Sequence, residues 1–177
     1  MKHSLLSKMD VLDQDLNRLL ETLREYTDEE LNRSPGPGRW SALQVLQHLM
    51  LAENLSLKSV ERRLGRRQAD EINGTNLLTG GRRIVLGWIL SLPFGWKAPE
   101  VVAGESFSDQ TTFWAVAREY RQIRISLREL VRTVPEEFYH KQLYKHPIVG
   151  KMGLSGMLHF FDRHFTRHRR QVLRALR

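Results

Sequence analysis

Apolar residues recur at spacings of three and four in the first third of the chain. Along residues 4–26 they form a stripe of leucines and one methionine, and this period is typical of an amphipathic helix. A second stripe runs to about residue 64 and begins at Ser41, with Gln44 three residues later. This spacing is a capping box, so it predicts the start of the second helix at Ser41. The Pro and Gly residues at 35–38 separate the two helices.

The same spacing returns in the second half of the chain. One stripe follows Ser108 and Asp109 and extends to about residue 132, and another covers about residues 154–176. Sustained alternation of apolar and polar residues does not occur in the sequence, which favours an all-α protein. Four helices of about 20 residues, each with one apolar stripe, predict a four-helix bundle. The length of the chain predicts one domain that covers residues 1–177.

The connections between the predicted helices differ greatly in length. The first two helices are joined by a short segment, which favours antiparallel neighbours. The second and third helices are separated by the long, irregular segment of residues 66–108. A connection of that length allows a crossover, so the bundle need not be a simple up-and-down arrangement.

Two histidines of the fourth helix are candidate metal ligands. His164 and His168 are four residues apart, so their side chains lie on one face of the helix, about 6 Å apart. Two imidazoles at this spacing can bind one ion, with zinc–nitrogen distances of about 2.0–2.1 Å. Both residues fall on the apolar stripe, which predicts that they point into the bundle. The spacing alone is a weak signal, and by itself it favours histidines that are hydrogen-bonded in the core or exposed at the surface.

A third histidine, His48, lies near the inward face of the second helix. Bundle cores often contain sites built from facing helices, so His48 is the candidate for a third ligand. Three nitrogen ligands leave one position of a tetrahedral ion open, which is the pattern of catalytic rather than structural sites. The alternative is a metal-free pocket in which these histidines contact a small molecule.

Four further side chains have two interpretations each. Glu53 lies within the apolar stripe of the second helix and is the candidate catalytic residue, as a base or ligand-orienting group. We favour a carboxylate that is hydrogen-bonded in the bundle or paired with an arginine. Gln171 either hydrogen-bonds His168 or makes a helix–helix contact. We expect Trp40 to pack at the entrance of the second helix, and His146 to form a structural turn rather than to line a pocket.

Three short motifs occur in order along the chain: Trp40-Ser41 before His48, His146-Pro147 before Gly150, and His164 and His168 before Gln171. This ordered set resembles the DinB-like (DinB/YfiT) superfamily of metalloenzymes, and the resemblance covers nearly the whole chain. It implies a four-helix bundle with an unusual connection order and a metal held by three histidines, which here are His48, His164 and His168. We expect a divalent ion, zinc or nickel. Members with a known role are thiol-dependent transferases or isomerases that use bacillithiol, mycothiol or glutathione-like thiols.

This resemblance leads to the hypothesis of a metal-dependent small-thiol S-transferase with a small-molecule substrate. A divalent ion that binds a thiol removes its proton and creates a nucleophile at neutral pH. The chain contains no cysteine, so a low-molecular-weight thiol would have to supply the sulfur. A metal-dependent hydrolase that activates water is an alternative, as is a metal-free small-molecule-binding or interaction bundle.

The net charge of +8 permits attraction to phosphates or acidic metabolites but does not choose among them. The sequence contains no nucleic-acid-binding motif, so we interpret the arginines as solvated and expect no nucleic-acid partner. The most apolar stretch, residues 84–96, is too short to span a bilayer, and the first residues do not resemble a secretory signal. We therefore expect a cytoplasmic protein without a membrane partner. Trp88, Phe94 and Trp96 are consistent with either a pocket roof or a homodimer contact.

Overall fold

The computed structural model describes residues 1–65, 69–82, 107–108 and 110–177. Helices dominate these residues: α1 (Lys2–Leu23), α2 (Asp28–Asn32), α3 (Ala42–Leu64), α4 (Phe113–Thr133) and α5 (Leu154–Ala175). Among the described residues, α1, α3, α4 and α5 are the helices longer than 20 residues. Short 3-10 helices lie at Ala69–Glu71 and Glu136–Phe138, and residues 77–82 are also helical. The predicted all-α helical bundle is confirmed.

Polar side chains set where the helices begin. The Ser41 hydroxyl accepts a hydrogen bond from the Gln44 N–H, and the Gln44 side chain accepts one from the Ser41 N–H. This is the capping box predicted for α3. Helix α4 begins at Phe113, a few residues later than the sequence suggests. The Thr112 hydroxyl accepts from the Ala115 N–H, and this capping bond satisfies a backbone donor at that point of the chain.

Each of the four long helices packs against two of the others. Helices α1 and α3 each contact both α4 and α5, so α1 and α3 lie diagonally across the bundle. Within the described ranges, extensive contact between α1 and α3 is absent. The expectation that the first two long helices are neighbours is therefore wrong. A short connection brings the ends of two helices together, but it is long enough here to span the diagonal.

Two apolar clusters divide the core along its length and give the helix directions. One cluster contains the N-terminal halves of α1 and α5 and the C-terminal halves of α3 and α4. The other contains the opposite halves. Helix α1 is thus antiparallel to α3, while the adjacent α3 and α4 run parallel. A chain that joins parallel neighbours must return along the bundle, about 30 Å for a helix of this length. Residues 65–112 join α3 to α4 and are here called the crossover connection.

A small hairpin lies between α4 and α5, where the sequence predicts only a loop. Strands β1 (Tyr144–His146) and β2 (Gly150–Met152) pair antiparallel, with Tyr144 opposite Met152. Gly150 has φ of 85°, a conformation that glycine adopts without steric cost. Tyr144 and Met152 are buried in the apolar cluster at this end of the bundle, so the hairpin closes the core there.

Three features of the sequence fall outside the described residues. These are the apolar stretch at residues 84–96, the aromatic residues Trp88, Phe94 and Trp96, and Asp109. Over the residues that are described, no helix combines the length and the apolar character that crossing a bilayer requires.

Candidate metal centre

The three predicted ligands come together between two adjacent helices. His164 and His168 lie one turn apart on α5, and His48 projects from the first half of α3. One ring nitrogen of each residue lies within 4.8 Å of the corresponding nitrogens of the other two. The Nε2 atoms of His48 and His164 are 3.1 Å apart. His48 and His164 are buried, and His168 is partly exposed.

This spacing fits a single divalent ion. Two nitrogens that bind a tetrahedral zinc ion at about 2.0–2.1 Å lie about 3.3 Å from each other. The His48–His164 separation is close to that value, so the two rings need little movement to share an ion. Imidazole nitrogens suit zinc, nickel, copper and iron. The donor set and its geometry therefore fit a transition-metal site.

Burial keeps two of these imidazoles, those of His164 and His168, neutral. Burial lowers the pKa of His164 well below its usual value, and the neighbouring His168 and His48 lower it further. Burial, followed by the proximity of His48, lowers the pKa of His168 to about 3. A neutral imidazole is the form that binds a metal. At pH 7 His164 and His168 therefore do not have to lose a proton before they bind a metal.

A hydrogen bond from Gln171 fixes the tautomer of His168. The Nδ1 atom of His168 lies 2.8 Å from the Gln171 Oε1 atom. An amide oxygen only accepts, so Nδ1 carries the proton and donates it, and Nε2 keeps the free lone pair. Of the two interpretations of Gln171, the structure contains the hydrogen bond. Such a partner orients a ligating histidine and increases its basicity.

Aromatic rings pack against two of the three imidazoles. The Trp40 and Phe107 rings have their centroids 5.0 and 6.3 Å from that of His48. The Phe160 ring stacks on His164 at 4.9 Å. Trp40 does pack at the beginning of α3, as expected, and it also covers the His48 ring. An apolar surround of this kind limits the access of water to a metal site.

His146 forms the structural turn that the sequence favours. Its Nδ1 atom accepts hydrogen bonds from the backbone N–H groups of Ile148 and Val149, at 3.2 and 3.4 Å. The residue is buried, and burial lowers its pKa to about 4. Its ring contacts Phe160 edge-on at 4.6 Å. His146 is not part of the three-histidine cluster, but it lies behind the aromatic ring that stacks on His164.

Glu53 is engaged in a buried ion pair. Its carboxylate accepts from Arg124 Nε and Nη2, at 2.5 and 2.7 Å, and from the Tyr120 hydroxyl at 2.7 Å. Glu53 and Arg124 are only 1% and 3% exposed. Burial, and then the Glu53 charge, raise the pKa of Tyr120 well above its usual value, so its hydroxyl stays protonated and donates. This is the arginine pairing considered from the sequence, and it occupies both carboxylate oxygens.

Two contacts of the site were not predicted from the sequence: that of Arg124 with Glu53 and that of Phe107 with His48. Arg124 lies among the apolar residues of the predicted third helix, one turn after Tyr120. A basic residue on the same face as an inward tyrosine was the available signal for a partner of Glu53. Phe107 gave no such signal, because it lies in the crossover connection, where no periodic pattern assigns a face. Its contact with His48 depends on tertiary structure alone.

Comparison with known proteins agrees with the geometry. The family model of the DinB superfamily matches residues 12–172. No curated protein and no solved structure matches the chain. The matched segment extends from α1 to α5 and includes all three clustered histidines. The chain therefore belongs to the DinB superfamily.

Proposed function

We propose that this protein is a metal-dependent enzyme, and specifically a small-thiol S-transferase. The observation that supports it is the cluster of His48, His164 and His168, with three nitrogens within 4.8 Å between two helices. His48, His164 and His168 hold the ion, zinc or nickel. Three protein ligands leave a coordination position for an exogenous group, as in catalytic sites.

The charge of the ligand set favours an anionic partner. All three ligands are imidazoles, which bring no negative charge, and among the described residues no carboxylate belongs to their cluster. A buried positive charge is costly unless an anion compensates it. When bound, a divalent ion supplies Lewis acidity, which lowers the pKa of a thiol or a water molecule beside it. The site is therefore suited to stabilising a thiolate at neutral pH.

The surrounding residues orient the ligands and exclude water. Gln171 holds the proton on Nδ1 of His168, while Trp40 and Phe160 cover His48 and His164. Glu53 is paired with Arg124, so this reaction does not use it as a base. The thiol proton passes to solvent, the sulfur forms a bond to the electrophilic carbon of the second substrate, and the leaving group departs with its electron pair.

The sulfur must come from outside the chain. The 177 residues contain no cysteine, so the nucleophile is a low-molecular-weight thiol of the bacillithiol, mycothiol or glutathione type. This choice rests on family membership and on the chemistry of the donor set. A hydrolase would use the same centre with water in place of the thiol, and the test below separates the two.

Metal content is the first measurement. We expect inductively coupled plasma mass spectrometry to find about one equivalent of zinc or nickel in the purified protein and none in a folded His164→Ala variant. His140→Ala removes an exposed histidine and serves as the matched control, which should retain the metal. A folded parent that takes up no divalent ion, even after reconstitution, would overturn the proposal.

Thiol binding is the second measurement. Cobalt-loaded protein would be titrated with bacillithiol, mycothiol and glutathione, and sulfur-to-cobalt charge-transfer absorption recorded. One of the thiols should generate this absorption, and glutathione disulfide, which lacks a thiol, should not. A cobalt-loaded protein that responds to none of them would exclude the S-transferase and favour the hydrolase.

A further inference from the structure

Gln47, the residue immediately before His48, holds the end of the crossover connection. Its Nε2 atom donates to the Ser108 carbonyl oxygen at 2.9 Å, and its Oε1 atom accepts from the Ser108 N–H at 3.1 Å. Both ends of one side-chain amide thus pair with the backbone of one residue. Two hydrogen bonds in opposite directions fix the position and the orientation of Ser108 relative to α3.

This pair of hydrogen bonds places the preceding residue against the metal centre. Phe107 packs edge-on against Trp40, with ring centroids 5.5 Å apart, and against His48 at 6.3 Å. Trp40 in turn lies 5.0 Å from His48. Phe107 and Trp40 are both partly exposed, so neither is simply part of the apolar core. Together they form a cover over the His48 ring.

The direction of the helices explains why the hydrogen bonds between Gln47 and Ser108 matter. Helices α3 and α4 are parallel neighbours, so the end of α3 and the beginning of α4 lie at opposite ends of the bundle. Fixing the two ends of any connection costs conformational entropy, and the two hydrogen bonds to Ser108 help to offset that cost. Gln47 holds Ser108 on the first half of α3, one residue from His48.

We propose that Gln47 is a positioning residue for the metal centre: it holds Ser108 so that Phe107 packs on His48, and this contact fixes the imidazole for metal binding. The inference rests on the proposed function, because it concerns the affinity of the same three-histidine site. By linkage, a metal that binds better when Phe107 is in place must also stabilise the attachment of Ser108 to Gln47.

Gln47→Leu tests this role, because leucine has a similar size but cannot form either hydrogen bond. Partners that orient ligating histidines typically change metal affinity 10- to 100-fold. We expect Gln47→Leu to weaken cobalt binding by about tenfold and to shift the visible d–d spectrum of the bound ion. Gln122→Leu, at an exposed position of α4, is the matched control and should bind cobalt as the parent does.

Hydrogen exchange of the Ser108 amide provides a readout that requires no metal. In the metal-free protein, exchange at Ser108 should be faster in Gln47→Leu than in the parent. Cobalt should slow this exchange in the parent more than in the variant. Phe107→Ala should weaken cobalt binding while the Ser108 amide remains protected, which separates the ring contact from the hydrogen bonds.

The experiments distinguish a wrong positioning role for Gln47 from a wrong proposed function. A parent that binds cobalt with the same affinity and spectrum as Gln47→Leu would overturn the positioning role and leave the metal site intact. Unchanged cobalt binding in Phe107→Ala would also overturn it. A parent without cobalt affinity would overturn the proposed function and, with it, this inference.

Discussion

The side chain of Gln171 selects the tautomer of His168 that leaves its Nε2 atom unprotonated. Gln171 accepts the Nδ1 proton at 2.8 Å from the same helix, three residues later. Neutral imidazole exchanges its two tautomers readily when no partner selects one, so this hydrogen bond selects the tautomer that leaves the lone pair on Nε2.

Replacement of Gln171 by leucine should therefore weaken metal binding without unfolding the protein. The residue is only partly buried, and a surface-type substitution of this kind costs little stability. We expect zinc affinity to fall by about tenfold, measured by competition with a chromophoric chelator. Gln14→Leu on the outer face of α1 provides the control. Equal affinities of the two variants would show that the hydrogen bond does not support the site.

Polar contacts also join whole helices. Arg124 of α4 reaches Glu53 of α3 and, at 3.5 Å, Asp13 of α1. Arg128, one turn later, pairs with Asp10 and Asp13 of α1. These contacts link three of the four long helices through one face of α4. They therefore help to specify which helices are neighbours of α4.

Loss of one partner of the buried Glu53–Arg124 ion pair should strongly destabilise the protein. Removing one member of such a pair leaves an uncompensated buried charge and typically costs about 3–5 kcal/mol. We expect Glu53→Leu to lower the free energy of unfolding by that amount in urea denaturation. The double variant Glu53→Leu/Arg124→Met should recover most of the loss, because neither charge remains. Failure of the double variant to recover stability would indicate that the cost arises from packing.

An exposed pair on the same helix is the comparison for that experiment. Glu129 and Arg132 lie 3.6 Å apart, and both are more than half exposed. Exposed ion pairs contribute about 0–1 kcal/mol, because solvent screens them. Glu129→Gln should therefore leave the urea midpoint nearly unchanged.

The helices were predictable from the sequence, but their arrangement was not. Apolar spacing and the Ser41 capping box predict α3 closely because both signals are local. The hairpin was missed because three-residue strands such as Tyr144–His146 are too short to display alternation. The diagonal placement of α1 and α3 and the partners of Glu53 depend on contacts between residues far apart in the sequence. The three clustered histidines were predicted because two share a helix face and the third, His48, lies near the inward face of another helix; the family motif includes all three.

The stability of the whole molecule depends on pH, because the fold lowers the pKa of His146 and of His168. His146 has a pKa of about 4 in the folded protein and about 6.5 in an unfolded chain. Between these values the unfolded chain binds a proton that the folded protein does not. The contribution of His146 to the free energy of unfolding is therefore fully present above about pH 6.5. It is lost progressively as the pH falls toward 4. His168, with a folded pKa of about 3, adds to the same trend.

Urea unfolding of the metal-free protein at pH 7, 6 and 5 measures this dependence. His146 alone should contribute a loss of about 1 kcal/mol per pH unit below its unfolded pKa. His146→Asn should make the profile shallower, since an amide oxygen can accept from the same backbone N–H groups but does not titrate. His140→Asn, at an exposed position, should leave the profile unchanged. A profile of the same steepness in both variants would contradict the assignment to His146.

His48 and His164 are separated by 116 positions in the sequence, and this distance has a consequence for folding. In an unfolded chain His48 is far from His164 and His168, and bringing them together would cost loop-closure entropy. The ion would therefore distinguish strongly between the native and the denatured chain, and its free concentration would raise the melting temperature. An ion at this site would act as a reversible cross-link between α3 and α5. The supply of metal would then affect how long each molecule resists proteolysis.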